Sequence, residues 1–448
     1  MRVAIVRLMF VVLVITWSGT AVAQEQLYGF VGDSNGDDFG FSVGGGYDLD
    51  GEGSDDVIVG ARRDDNNGTS SGSARTFVGA TGIAHCTVNG ALGDGLGTSV
   101  GVAPDLDGDG GADIVAGSPY SDAPAGAAGS LVFYSGDDCA VLDTVTGDAA
   151  KDHLGTAVAY AGDVNNHGSP DVIVGAPEDD FFDPGNGYAR VISGTTRAVI
   201  YTFSGAAVSD RFGTSVAGAG DVDGDGYDDV IVGAPRSGTG GQSGYAVVYS
   251  GRTGAQLYAL SGSVAGDQFG TSVTGVGDVN SDGHDDFAVG APYEDIPPNQ
   301  DNGRVRVYSG ATGAVLYDHT GQPGVHFGYS LAGLGDVDKD GVPDFAVGAP
   351  LFFGPPFGAG AKAVYNFGAT VFSGATGAAL YSVTGTNPDD ALGFSVGAAG
   401  DVNGDGSADL IAGAWQFSTP GPGYARVYAL ACTDNDGDGY GNPGLATC

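Results

Sequence analysis

The sequence predicts an all-β chain: a seven-bladed β-propeller of four-stranded antiparallel blades, closed by the N-terminal strand pairing onto blade seven. Three observations predict it. An acidic segment recurs seven times, beginning at Asp48, Asp105, Asp163, Asp221, Asp278, Asp336 and Asp401, with spacings of 57, 58, 58, 57, 58 and 65 residues. Self-similarity at a fixed period of this length marks a repeat architecture. Each recurrence is followed by an apolar run without polar alternation, such as Val230-Ile231-Val232, which is the pattern of a strand buried on both faces. No segment carries a sustained helical period with caps. A series of β-sandwiches is the alternative, but four strands repeated seven times fit radially packed blades better.

Within each unit the order of events is constant. A Phe-Gly or Leu-Gly pair opens it: Phe39-Gly40, Leu96-Gly97, Leu154-Gly155, Phe212-Gly213, Phe269-Gly270, Phe327-Gly328 and Leu392-Gly393. A first strand of small residues leads to the acidic loop, and the apolar second strand leaves it, ending in Gly-Ala-Pro or a close variant. A variable polar loop follows, then a strand like YAVVYSG, a turn such as Arg252-Thr253-Gly254, and a fourth strand like QLYALSG. The one long interval is explained by a Gly/Pro-rich insertion around Leu351 to Asn366.

The ends of the array explain its closure. Blade seven supplies strands over Phe394 to Gly400, Asp409 to Gly413 and Tyr424 to Leu430, with no fourth before Cys432. The segment Glu25 to Gly32 resembles the fourth strand of the other units. Pairing it onto blade seven would remove the open edge of the array.

Bulk properties narrow the setting. Residues 1–23 read as a signal peptide, with Arg2 and Arg7, an apolar run from Met9 to Ile15, and Ala21-Val22-Ala23 before the expected cleavage. Residues 24–431 form the propeller and 432–448 an Asp-rich tail. The apolar run is short for a membrane span, and nothing later resembles one. Glycine supplies 84 of 448 residues, against a usual share of about 7 per cent, so the glycines must recur for a structural reason. A net charge of −39 excludes a nucleic-acid binder that neutralises phosphates. Four cysteines in an exported chain permit disulfides: Cys432 with Cys448 could close a small loop, and Cys86 with Cys139 could also pair.

The acids cluster in the seven loops, which points to cation binding. In Asp221-Val222-Asp223-Gly224-Asp225-Gly226-Tyr227-Asp228-Asp229, acids stand at positions one, three, five and nine, and glycine at six permits a sharp turn. Oxygen donors without cysteine select calcium over zinc or copper. The candidate ligands are Asp48, Asp50, Glu52 and Asp56 in blade one, and Asp105, Asp107, Asp109 and Asp113 in blade two. Blade three offers Asp163, Asn165 and Asp171, with His167 at position five; blade four offers Asp221, Asp223, Asp225 and Asp229. Blades five to seven offer Asp278, Asn280, Asp282 and Asp286; Asp336, Asp338, Asp340 and Asp344; and Asp401, Asn403, Asp405 and Asp409. An EF-hand needs an acid at position twelve, where these loops carry Val59, Ala116, Val174, Val232, Val289, Val347 and Ala412, so the ninth residue must complete the shell. A solvated turn without metal would leave the carboxylates to repel one another. Blade three, with two carboxylates, is expected to bind most weakly; blades two, four and six are expected to be the best sites. At ten times the dissociation constant, each ion would stabilise the fold by roughly 1.4 kcal/mol, or about 10 kcal/mol for seven. Calcium is therefore expected to be chiefly structural.

These residues together resemble the FG-GAP repeats of integrin α-chain N-terminal propellers and their bacterial relatives, over residues 24 to 431. The resemblance implies calcium in hairpin loops on the lower face and ligand contact on the upper face. Departures occur at Gly60-Ala61-Arg62, Gly117-Ser118-Pro119 and Gly413-Ala414-Trp415, which alter the strand exit and not the metal loop. Without a von Willebrand-type insertion, the likeness is to a propeller and not to a whole integrin subunit. The tail resembles a thrombospondin type-3 repeat and offers Asp434, Asp436 and Asp438 for an eighth ion.

The expected function is binding or adhesion toward a protein or glycan ligand on the face opposite the calcium loops, by a secreted or cell-surface monomer with no nucleic-acid partner. Candidate contact residues are Tyr120, Phe181, Phe182, Tyr293, Phe352, Phe353, Phe357, Trp415 and Phe417. The rival is a carbohydrate-active enzyme or lectin. The six histidines offer no convergent catalytic set, and Asp179-Asp180 are explained more simply by surface solvation.

Overall fold

The computed structural model describes residues 24–430, apart from 124, 179–184, 236–242, 297–300, 351–366, 387–389 and 417–420. The expected signal segment and the tail, with Cys432, Cys448 and the three tail aspartates, lie outside the described residues.

Seven four-stranded antiparallel sheets follow one another around the chain. Blade one is β2 (Phe39–Tyr47), β3 (Asp56–Ala61), β4 (Ser73–Phe77) and β5 (Ala84–Asn89). The pattern repeats until β26 (Ser395–Gly400), β27 (Asp409–Ala414) and β28 (Tyr424–Tyr428), where β1 (Gln26–Val31) supplies the fourth strand of blade seven. It pairs antiparallel with β28, with Val31 opposite Tyr424 and Gln26 opposite Tyr428. The expected closure is therefore present, and Ala429 N–H, one residue beyond β28, still donates to Glu25 O.

In every blade the second strand is buried along its whole length, as the unbroken apolar runs require. The core lies between blades. Ile231 and Val248 of blade four, for example, share one cluster with Phe269, Phe287 and Val289 of blade five. Each such side chain contributes about 1.5–3 kcal/mol by leaving water. Fourth strands, on the rim, alternate between exposed and partly buried residues.

The Phe-Gly and Gly-Ala pairs hold adjacent blades in register. Gly60 of blade one lies so close to blade two that a Cβ would sit 2.2 Å from Gly97 O, and Gly175 stands likewise 1.9 Å from Gly213 O. The glycine of the Phe-Gly pair needs a positive φ, +89° at Gly213, and donates its N–H to Gly233 O in the second strand of its own blade. A Cβ there would also lie 2.3 Å from Tyr188 O, so only glycine fits. A first-strand hydroxyl spans the same seam: Ser42 Oγ donates to Gly97 O at 2.8 Å, and Ser395 Oγ of blade seven donates to Gly40 O of blade one at 2.9 Å. Closure therefore uses the contacts of the other seams, reinforced by Phe30 of β1 stacked on Phe77 at 3.9 Å.

Cys86 on β5 is bonded to Cys139, in the turn between β8 (Ser130–Ser135) and β9 (Val141–Thr146), with Cα atoms 6.1 Å apart. This staples blade one to blade two at the rim. Replacing both cysteines by serine is expected to lower unfolding free energy by about 2–4 kcal/mol in urea titration, while leaving β-sheet circular dichroism unchanged.

Candidate metal centres

Each acidic loop is the hairpin between the first and second strands of its blade, so all seven stand at the same end of the blades. Short side chains fold the loop. The position-one aspartate accepts two backbone N–H bonds: Asp221 takes Asp225 N–H and Gly226 N–H, both at 2.9 Å, and Asp163, Asp278, Asp336 and Asp401 take the same two positions, while Asp48 and Asp105 take positions four and six. Position three caps position five, as Asp107 does for Asp109 N–H and Asn403 for Asp405 N–H. Position five caps position seven, as Asp282 does for His284 N–H. These Asx turns aim the carboxylates inward while leaving lone pairs for a cation.

The ninth aspartates, Asp56, Asp113, Asp171, Asp229, Asp286, Asp344 and Asp409, are buried at the first position of the second strand. Asp229 Oδ2 accepts Val222 N–H at 2.9 Å and its Oδ1 accepts Gly251 N–H at 2.8 Å, which ties the loop to the end of the third strand. The other blades repeat the bond to position two. Burial pushes these carboxyls up, to about 7 at Asp229 and Asp409 and about 6 at the other five, despite the hydrogen bonds that favour the anion. Such a site holds a surplus of negative charge and desolvated oxygen, which a hard divalent cation would relieve. Asp113→Ala should cost roughly 2–4 kcal/mol in chemical denaturation, because the Leu106 and Gly136 N–H groups lose their buried acceptor.

The donor sets converge. Carboxylate oxygens of Asp48, Asp50 and Asp56 lie within 4.8 Å of one another, as do those of Asp105, Asp107 and Asp113, and those of Asp221, Asp223 and Asp225. In loops five and seven, where position three is an amide, Asn280 Nδ2 and Asn403 Nδ2 face the ninth aspartate at 3.4 and 3.5 Å, whereas in loop three Asn165 Oδ1 is buried without a hydrogen-bond partner. Glu52 accepts the Ser54 hydroxyl within its own loop and Ala80 N–H at 3.3 Å from the turn after the third strand. In blade three the imidazole of His167 stands 3.5 Å from Asp163. A further trio outside the loops, Asp33, Asp37 and Asp64, is already served by the Arg75 guanidinium, 2.8 Å from Asp33 and 2.7 Å from Asp64.

Two sets of residues escaped the sequence reading. Position eight of the loop is acidic in three blades, and Asp55, Asp228 and Asp285 reach across the seam to the preceding blade. The residue after the Phe-Gly pair is threonine in four blades, where Thr98, Thr156, Thr214 and Thr271 cap a local turn. In the three adjacent blades six, seven and one it is Tyr329, Phe394 and Phe41, and this break in the repeat was legible. At the end opposite the metal loops, Phe394 lies 5.0 Å from Tyr329, 4.8 Å from Phe41 and 5.3 Å from Trp415, with the Arg62 guanidinium 3.8 Å above Phe41. Of the aromatic candidates, Trp415 belongs to this cluster. Tyr120 and Tyr293 pack edge-on against His153 and His326, at 5.6 and 5.0 Å. Phe181, Phe182, Phe352, Phe353, Phe357 and Phe417 lie outside the described residues, as do Asp179 and Asp180.

Fold and loops together define a closed seven-bladed propeller with an acidic hairpin at one end of every blade. Residues 96–134, 212–249, 269–308 and 327–367 match the FG-GAP repeat, each from the Leu or Phe of the opening pair onward. Integrin alpha-8 of Gallus gallus is 31% identical over 234 residues, covering 48% of this chain and 21% of that one. Integrin alpha-V of Gallus gallus is 34% identical over 227 residues, covering 46% and 21%, and integrin alpha-5 of Xenopus laevis 32% over 219, covering 44% and 20%. The chain thus spans about a fifth of the length of these relatives. A chain from the crystal structure of BBS1N in complex with ARL6DN, soaked with mercury, covers 92% of this chain and 99% of its own length at TM-score 0.53 and 10% identity, a likeness of fold alone. Among the described residues no helix is long and apolar enough to cross a membrane.

Proposed function

We propose that this chain is an exported, calcium-loaded binding module of the adhesion type, which docks a protein ligand on the face opposite the acidic loops. The similarity to integrin α chains supports the adhesion class. The Cys86–Cys139 disulfide suits an oxidising compartment. All-oxygen donor sets of the right charge suit calcium, held by the position-one, -three, -five and -nine residues.

The observation that carries the ligand face is the aromatic cluster of Phe41, Tyr329, Phe394 and Trp415 under Arg62, gathered from three adjacent blades. Trp, Tyr and Arg are the residue types that dominate protein interface energetics. A carbohydrate-active enzyme is less well supported. His85 bonds Gly136 O, His284 bonds Val222 O, His319 stacks on Phe372, and each is held in a separate structural contact.

The test is binding of the purified protein to arrays of matrix proteins and of glycans, with calcium and with chelator. Calcium-dependent capture of a protein that is lost in Phe394→Ala and Trp415→Ala supports the reading. Capture confined to glycans, release of cleaved sugar, or binding indifferent to both substitutions contradicts it.

A further inference from the structure

The hairpin loops are not independent around the ring. Asp163, first residue of loop three, donates its backbone N–H across the seam to Asp228 Oδ2 of blade four at 2.7 Å. Asp221 N–H of loop four donates to Asp285 Oδ2 of blade five at 2.9 Å, and Asp401 N–H of loop seven to Asp55 Oδ2 of blade one at 2.8 Å. Each acceptor stands immediately before the ninth-position aspartate of its own loop. The seams are shaped for it: a Cβ at Gly162, Gly220 or Gly400 would lie 2.2, 2.1 and 2.2 Å from the same carboxylates. The other four seams carry Ala112, Pro170, Pro343 or Ala408 at that position, which have no side-chain acceptor. Loops three to five are tied further, because Asn166 Nδ2 donates to Gly226 O at 3.0 Å and His284 Nδ1 lies 3.0 Å from Val222 O.

We propose that Asp228, Asp285 and Asp55 are positioning residues that couple neighbouring cation sites, so that loops three, four and five bind as a linked group, loops seven and one as a pair, and loops two and six alone. This rests on the reading of the loops as calcium sites. A cation held by loop four fixes Asp229, and with it the adjoining Asp228. The fixed carboxylate holds Asp163 in place, so loop three loses less conformational freedom when it binds in turn. The coupling matters most at loop three, whose two carboxylates make it the weakest site.

Hydrogen–deuterium exchange across a calcium titration of the whole chain tests this, reading the calcium midpoint for amide protection in loops three and six separately. Asp228→Ala should raise the midpoint of loop three by about fivefold or more, the lower range of coupling between sites. Asp228→Asn, which keeps an acceptor, should restore much of it. Alanine already stands at this position as Ala112 and Ala408, so the substitution is compatible with the blade. Removing loop four's ligands by Asp223→Ala with Asp225→Ala should raise the loop-three midpoint in the natural chain and raise it less in the Asp228→Ala background. Loop six, whose seam carries Ala408, should not move. Unchanged midpoints in loop three, or equal shifts in loops three and six, overturn the coupling. Absence of calcium-dependent protection in every loop overturns the calcium reading itself.

Discussion

Chelating calcium should lower the melting temperature of this protein by about 10 °C, and the chelated form should melt lower at pH 8 than at pH 5. The first figure follows from seven sites at roughly 1.4 kcal/mol each, spread over the unfolding entropy of a chain this long. The pH order follows from the ninth-position aspartates. Burial raises their carboxyls to about 6 or 7, above the unfolded value near 4. A raised group gives stability that is complete below the unfolded pKa and is lost as pH climbs through the folded one. The ion-free fold should therefore weaken between pH 5 and pH 8, as seven buried carboxylates charge with backbone N–H donors but no bound cation. Calcium supplies the partner and needs the deprotonated form, so its stabilising effect should grow over the same interval. Calorimetric scans at both pH values, with calcium and with chelator, check all of this. Superimposable scans with and without calcium would contradict a structural role for the ion.

The part of this architecture legible in the sequence is the part encoded by one-dimensional spacing. A period of 57 or 58 residues, four strand signals per unit and a spare strand at the N-terminus were enough for blade count and closure, because burial on both faces leaves a continuous apolar run. The metal loops were legible because the constraint is local: Asx turns require their residues at alternate positions. What stayed hidden depends on contact between units. Asp228 and Asp285 look like surplus acids in the sequence, and only the juxtaposition of blades shows them capping the preceding loop. In the sequence the ninth aspartates are legible as ligands alone, whereas Asp229 also holds two buried N–H groups, a role no linear pattern distinguishes. Phe41, Tyr329 and Phe394 were legible in principle as departures from threonine.

The same distinction gives the second large effect. Gly175→Ala should lower unfolding free energy by about 4 kcal/mol or more, or prevent folding, although it adds one methyl group. That methyl would stand 1.9 Å from Gly213 O and 2.9 Å from Gly213 C, both backbone atoms of the next blade. No rotamer change can make room, so blades three and four must separate and give up the apolar contacts between Ile173, Val191, Phe212 and Val232. Gly126→Ala is the matched control, since its Cβ would meet nothing closer than an Asp122 oxygen at 3.8 Å, and it should change stability by less than about 0.5 kcal/mol. The equivalent substitution at the closing seam carries more information. A Cβ at Gly413 would lie 2.1 Å from Gly40 O, between the last blade and the first. In an open array this seam would not exist and Gly413→Ala would be mild. In a closed ring it must be as severe as Gly175→Ala, because every blade is held from both sides and strain at one seam can be relieved only by opening it. Urea unfolding of the three variants decides the matter. A Gly413→Ala protein as stable as the parent chain would mean that the ring is not closed in solution.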